Sequence, residues 1–384
     1  MKKIIFTILL LFPIFVSALE INSKHAILYN LNEDKIIFEK NSNEITSIAS
    51  LTKIMTTIVA IENIENLDAK VTITEKDFNG LYDASLAGFE VGDEVTYRDL
   101  LYGTMLPSGA EASQALANNI SGSVNVFAGL MNEKAKELGM KNTHFVNTSG
   151  LDVNNHYSTV YDVAVLLKYC LNNKTFKTIF ESTSYKTSNG ELTLYSTFRY
   201  TAIKYNYKSD YILGAKTGYT DDAGKCLASI AYDQNNDILY LLVTTGANTS
   251  TDDAYHINDA TNIYTYYFEN YGYVNLMDEN ELLVSIKTKY SKNKYLNFYA
   301  KEDVSFYTKD EFDKNKIKII YDGVNIIDQS IKKGEKLGTV GIYYDDEYIN
   351  SLDIILNDEY KFSIIYFLLQ NKKITIPVIL GICI

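Results

Sequence analysis

The sequence predicts a two-domain α/β (α+β) protein: a mixed helix-and-strand body over residues 19–272, then a small all-β module over residues 273–360. Three observations predict it. The 384 residues exceed what one ordinary hydrophobic core organises. Up to Gly272, helix-period and strand-period apolar patterns are mixed. Beyond Gly272, short alternating runs follow one another with few helical periods between them. A hydrophobic share of 46% and a charged share of 22% suit a globular chain rather than a disordered one.

The chain opens with Lys2 and Lys3, an apolar run from Ile4 to Val16, and the small-residue site Val16-Ser17-Ala18. That order predicts a secretory signal peptide over residues 1–18, cleaved after Ala18. The mature chain is then exported across the cytoplasmic membrane and works there without ATP. Next, Ala26–Tyr29 and Lys35–Phe38 flank a polar turn and predict a hairpin. Leu51, Ile54, Met55, Ile58, Val59 and Ile61 recur at helical spacing and predict a helix beginning near Ser50. Thr96-Tyr-Arg-Asp99 reads as a capping box opening a second helix, which Pro107-Ser108-Gly109 interrupts. Thr159 to Asp162 opens a further helix. Ile212–Thr217, Lys225–Tyr232 and Ile238–Thr244 read as strands. A helix from Asp252 is expected to stop at Gly272. Residues 361–384 form an apolar tail, Phe362–Leu369 and Ile374–Ile384, split by Gln370-Asn371-Lys372-Lys373. Neither half reaches the roughly 20 apolar residues of a spanning helix. The tail is expected to associate with a membrane surface, with lysines at headgroup level.

Charge and residue usage narrow the function. A net charge of −12 repels phosphate backbones, so no nucleic-acid partner is expected. The three cysteines, Cys170, Cys226 and Cys383, form no CxxC pair, and there are four histidines. No metal site and no cofactor are expected. Cys170 and Cys226 read as buried thiols. The sequence has no G-x-S-x-G elbow, no H-E-x-x-H, no phosphate loop and no G-x-G-x-x-G. Nothing links the four histidines to a serine triad.

A lysine base is the other way to activate a serine. Ser-x-x-Lys places both side chains on one helix face, one turn apart. The spacing occurs at Ser50/Lys53, Ser291/Lys294 and Ser330/Lys333. The last two lie in polar stretches of the β module. Only Ser50/Lys53 opens a strongly apolar helix, where the positive helix end favours a developing oxyanion. The lysine works as a base only if its pKa falls from about 10.4 towards 7, a shift worth roughly 4 kcal/mol. Burial and a second cation both push it down. Lys216 of Lys216-Thr217-Gly218 supplies that cation, Thr217 a hydroxyl for a carboxylate, and Gly218 room for close backbone approach.

Ser50-Leu-Thr-Lys53, Ser108-Gly109-Ala110 and Lys216-Thr217-Gly218 follow the order and rough spacing of the penicillin-recognising serine transpeptidase-like enzymes. The flanks resemble more closely the D-alanyl-D-alanine carboxypeptidases, the low-molecular-mass penicillin-binding proteins of a peptidase S11-like serine family. Those flanks are Ala49 to Thr56, Gly92 to Leu101, Phe145 to Leu151, His156 to Thr159 and Gly214 to Thr220. The resemblance covers residues 24 to 272, and Lys333 to Gly338 is similar to the family's C-terminal module. It implies a serine β-lactamase/transpeptidase-like catalytic domain with an antiparallel sheet and helices. It also implies Ser50 as nucleophile, Lys53 as general base and Ser108 as proton relay. Lys216 and Thr217 would hold a terminal carboxylate, with Gly218 beside them. The N–H groups of Ser50 and Tyr219 would form the oxyanion hole. Arg199, one of two arginines, lies roughly where the family can place a carboxylate-binding arginine. The implied substrate is the D-Ala-D-Ala end of peptidoglycan stem peptides, and β-lactams are the implied covalent inhibitors.

The sequence departs from the family at one important position. The usual Ser-x-Asn is Ser108-Gly109-Ala110, so an amide that contacts the lysine base is missing. Losing such a hydrogen bond costs about 1.5–3 kcal/mol, or roughly 10- to 150-fold in rate if uncompensated. Glu111 is adjacent. A milder departure is Ile48 in place of the usual proline. Two other readings follow: a β-lactamase of the same superfamily, which the extra β module and tail disfavour, and a binding protein without efficient turnover, which only Ala110 supports.

Overall fold

The computed structural model describes residues 19–250, 253–309 and 312–371. The expected signal-peptide segment, Cys383 and the last part of the apolar tail lie outside the described residues. The chain divides between Phe268 and Glu269 into two compact units.

The first unit is built around one sheet. It opens with the hairpin β1 (His25–Asn30) and β2 (Lys35–Lys40). A 3-10 turn, Ala49–Leu51, leads into α1 (Thr52–Asn63). Then come the short ladder β3 (Lys70–Thr72) and β4 (Glu94–Thr96), then α2 (Tyr97–Met105), α3 (Ala110–Ser121) and α4 (Val124–Glu137). After these come α5 (Val160–Cys170), α6 (Lys174–Glu181), the ladder β5 (Ser184–Lys186) and β6 (Thr193–Tyr195), and α7 (Thr197–Lys204). The unit closes with β7 (Ile212–Thr220), β8 (Gly224–Asp233), β9 (Ile238–Ala247) and α8 (Tyr255–Asn270). The main sheet runs β2-β1-β9-β8-β7, antiparallel throughout.

Local chemistry explains the helix starts. The Thr96 hydroxyl accepts from the Asp99 N–H, and the Asp99 carboxylate accepts from the Thr96 N–H, which is the expected capping box. Thr159 caps α5 through the Asp162 N–H. Helix α1 differs from an ordinary amphipathic helix. Every residue from Thr52 to Ala60 is buried, so it sits centrally against α3, α4 and α5. The polar groups of its first turn, Thr52 and Lys53, are buried with it.

The sheet is covered on both faces. Leu241 and Val243 of β9 join the main core, while Tyr240 meets Phe268 of α8. The Tyr264 hydroxyl pairs with Ser229, and the Tyr267 hydroxyl donates to the Ile37 carbonyl. Helix α8 ends at Asn270, and Gly272 lies inside the strand Tyr271–Met277. The expected glycine stop is therefore corrected: the chain passes directly from helix to strand, with no left-handed glycine between them.

The second unit is all-β up to a last short helix. Tyr271–Met277 pairs with Val304–Lys309. Leu282–Thr288 pairs with Tyr295–Tyr299 and Ile326–Ile327. Ile317–Gly323, Lys336–Tyr344 and Glu347–Ile355 form a three-stranded sheet. Its core gathers Ile286, Phe298, Ile327, Val340 and Ile354. Part of the apolar tail forms the helix Ile364–Gln370, with Ile364, Ile365 and Leu369 exposed. No helix among the described residues is long and apolar enough to cross a membrane.

The residues just after the expected cleavage site are tied down. The buried Asp259 carboxylate of α8 accepts from the N–H groups of Asn22 and Ser23, the Asn22 amide and the Ser23 hydroxyl. Hydrogen bonds to a charged group are each worth about 1.5–3 kcal/mol. Asp259→Ala in the mature chain is expected to lower unfolding stability by about 3 kcal/mol, read as a drop in the urea midpoint. An unchanged midpoint contradicts this anchoring role.

Candidate active site

The site is assembled where three segments meet: the turn before α1, the bend between α2 and α3, and strand β7. Ser50 lies in the 3-10 turn and Lys53 one turn further on. Lys53 Nζ is 3.1 Å from Ser50 Oγ and donates to the Ser149 carbonyl at 2.7 Å. On the opposite wall, Lys216 Nζ donates to Ser108 Oγ at 2.9 Å and to the Thr217 carbonyl at 2.8 Å. Thr217 and Thr197 share a hydroxyl–hydroxyl contact of 2.6 Å. Ser50, Lys53, Ser108, Ala110, Ser149, Thr217, Gly218 and Tyr219 all line one cleft of about 480 Å³.

Backbone geometry makes this convergence possible. Ala49 and Ser108 both adopt left-handed conformations, at φ +46° and +67°. For residues with a Cβ that costs roughly 1–3 kcal/mol each and persists only where the surroundings enforce it. Strand β7 lies against the Ser50 turn: a Cβ on Gly218 would sit 3.1 Å from the Ser50 nitrogen and 3.2 Å from Ala49 Cβ. The glycine therefore serves close approach, as the sequence suggested, but the approaching group is the Ser50 turn itself. Gly150, at φ +85°, is held more tightly, since a Cβ there would lie 1.9 Å from the Ala49 carbonyl oxygen.

The Ser149 carbonyl is aimed by its own loop. Asn147 Oδ1 accepts from the N–H groups of Ser149 and Gly150, and the Asn147 amide donates to the Leu151 carbonyl. Thr56 donates to the Thr148 carbonyl at 2.8 Å. Asp152 then ties the loop to its neighbours, accepting from Ser47 and from Thr220 at the end of β7.

The electrostatics follow from burial. Lys53 and Lys216 are 2% and 1% exposed. Burial pushes the Lys53 amine down to about 7, against the pull of the Glu111 carboxylate. Burial, reinforced by Lys53, holds Lys216 well below its ordinary value. A shift of the Lys53 size corresponds to about 5 kcal/mol favouring the neutral amine. Glu111 turns away from the cleft. Its Oε1 accepts from the N–H groups of Ala87, Gly88 and Phe89, while Oε2 is buried with no partner among the described residues. Burial raises its pKa.

Not every expected residue joins the cleft. Arg199 donates to the carbonyls of Ser209 and Ile212 and is not among the lining residues. Thr197 and Thr201 of the same helix do line it. Reasoning from side-chain motifs passes over Thr197 and the Ser149 carbonyl, and names Glu111 only as the neighbour of Ala110. The first two carry no motif, and a backbone acceptor has no residue signature. His256 also lines the cleft, and burial pushes its pKa down to about 4.

The chain resembles known proteins along most of its length. Residues 13–249 match the family model of D-alanyl-D-alanine carboxypeptidase, and residues 271–361 match the C-terminal domain of penicillin-binding protein 5. The chain is 32% identical over 352 residues to D-alanyl-D-alanine carboxypeptidase DacF of Bacillus subtilis, covering 90% of this chain and 87% of that protein. It is 27% identical to DacC of Escherichia coli, covering 89% and 85%. Among solved structures, the Streptomyces K15 DD-transpeptidase aligns at 32% identity with a TM-score of 0.58, covering 65% of this chain and 98% of that one. Penicillin-binding protein 5 of Haemophilus influenzae aligns at 24% identity with a TM-score of 0.65, covering 90% and 100%, a likeness of fold.

Gly150 gives a direct test of the loop. Gly150→Ala meets both a left-handed backbone and the Ala49 carbonyl. We expect a stability loss of about 2–5 kcal/mol, measured by urea unfolding, together with slower modification of Ser50. A variant as stable and as reactive as the wild type contradicts the close packing of loop and turn.

Proposed function

The chain belongs to the D-alanyl-D-alanine carboxypeptidase family, and from that membership we propose that Ser50 removes the terminal D-alanine of peptidoglycan stem pentapeptides through an acyl-enzyme. The single observation that carries the reading is the 3.1 Å contact between Ser50 Oγ and a lysine amine with a pKa of about 7. Neutral Lys53 takes the Ser50 proton as Oγ attacks the peptide carbonyl. The tetrahedral oxyanion forms beside the N–H groups of Ser50, in the turn before α1, and Tyr219, near the end of β7. The C–N bond then breaks, and Ser108, hydrogen-bonded to Lys216, relays the proton held by Lys53 to the departing D-alanine amine, which leaves Lys53 neutral to take a proton from the attacking water. Water attacks the ester, and the shortened peptide leaves with a new carboxylate. Lys216 and Thr217 face the substrate carboxylate. Arg199 gives two of its five N–H groups to backbone carbonyls and lies outside the cleft lining, so it is assigned no carboxylate role.

The enzyme acts in the cell wall, outside the cytoplasmic membrane. The apolar face of Ile364–Gln370 supports contact with a membrane surface. A β-lactam mimics the substrate amide and acylates Ser50.

Fluorescent penicillin tests the nucleophile and the base together. Wild type is expected to be labelled and Ser50→Ala not. The folded Lys53 pKa lies near 7, so the free base accumulates as pH rises, and the labelling rate should climb through about pH 7. Equal labelling of both proteins, or a rate flat from pH 6 to 8, contradicts the reading.

Ala110 decides between an enzyme and a binding protein. The Ser149 carbonyl already supplies Lys53 with an acceptor, so D-alanine release by wild type is expected, with Ala110→Asn changing it by less than about 10-fold. A wild type that releases nothing, with release restored by the asparagine, would instead indicate a binding protein.

A further inference from the structure

We propose that His156 is a positioning residue that clamps the Ser149 loop onto the nucleophile helix and so fixes the carbonyl that orients Lys53. The inference rests on the Ser50/Lys53 reading above. His156 is 7% exposed and bridges two segments. Its Nδ1 accepts from the Val146 N–H at 3.1 Å. Its Nε2 lies 2.9 Å from Thr52 Oγ1. Because Nδ1 is an acceptor, the ring proton sits on Nε2 and is donated to Thr52. Thr52 is the residue before Lys53, and Val146 lies three residues before Ser149. One imidazole thus spans from the loop that carries the acceptor to the helix that carries the base. Phe145 packs edge-on against the ring.

The clamp selects one state of the base. A neutral amine has two protons and one lone pair. With one proton held by Ser149, the lone pair can face the Ser50 hydroxyl. Without a fixed carbonyl the amine rotates freely, and the productive orientation becomes one of several. The clamp needs a neutral ring, because protonated Nδ1 would face the Val146 N–H as donor to donor. Burial keeps it neutral, pushing its pKa down to about 4. His144 on the same loop adds to that effect, Asp152 opposes it, and Lys53 is the next charged group on α1.

The substitution that separates roles is His156→Gln. A glutamine amide has an acceptor and a donor on one carbon, the same arrangement as Nδ1 and Nε2 on Cε1. His156→Leu removes both, and Thr52→Val removes only the helix-side acceptor. The measurement is the acylation rate of Ser50 by fluorescent penicillin across pH, with the thermal midpoint of each variant recorded. We expect His156→Leu and Thr52→Val to acylate roughly 10-fold or more slowly than wild type. We also expect their limb near pH 7 to move lower, since the Lys53 ammonium loses a fixed acceptor, and His156→Gln to recover rate and limb. If His156→Leu does not fold, Thr52→Val carries the test alone. Folded His156→Leu or Thr52→Val acylating at the wild-type rate with the limb unmoved overturns the proposal. So does His156→Gln as slow as His156→Leu. An unlabelled wild type would overturn the Ser50 reading instead, so the two failures are distinct.

Discussion

The burial of the Lys53 amine is the constraint on which the rest of the site depends. An ammonium in that position loses its hydration, and the protein gives it no carboxylate ion pair in return. A salt bridge would restore the charge and remove the base. The fold instead surrounds the amine with neutral partners, the Ser50 hydroxyl and the Ser149 carbonyl. It also buries a second amine, Lys216, whose own protonation the Lys53 charge opposes. The one carboxylate that acts on Lys53, Glu111, spends one oxygen on the N–H groups of the 87–89 loop. Its influence on the base is thereby softened.

Much of the scaffold follows from that arrangement. A helix buried all round carries Lys53 inward. A left-handed Ala49 turns Ser50 back over it. Gly218 and Gly150 let β7 and the 147–150 loop close on the same turn without a Cβ between them. A left-handed Ser108 brings the second hydroxyl onto Lys216. These are local strains, held in place by the packing of α1, α3 and β7. Where the family's usual asparagine is replaced by Ala110, the lysine still has a backbone acceptor in the Ser149 carbonyl.

The sequence was legible where chemistry and periodicity coincide. Ser50, Lys53, Ser108, Lys216 and Thr217 stand in motifs; four of them line one cleft, and Lys216, buried outside the lining, is hydrogen-bonded to Ser108. The β1–β2 hairpin, α1, the Thr96/Asp99 box and β7 to β9 carry clear patterns. Short helices such as α6 and α7 were not read, because eight residues give a weak period. The chain leaves α8 at Asn270 rather than at Gly272, because strand pairing with Val304–Lys309 captures the glycine. Arg199 reads as a ligand group from its position, yet it lies outside the cleft lining and donates to the carbonyls of Ser209 and Ile212. The Ser149 carbonyl and the His156 clamp were invisible for a different reason: each depends on contacts between segments about a hundred residues apart.

The central claim concerns one proton. Titration of the Lys53 side-chain nitrogen by NMR, with lysine labelled at Nζ and Lys53→Gln used for assignment, tests it most directly. The account predicts a midpoint near 7 in the folded enzyme. A midpoint near the ordinary lysine value of about 10.4 would contradict it, because the amine beside Ser50 would then be charged and unable to act as its base.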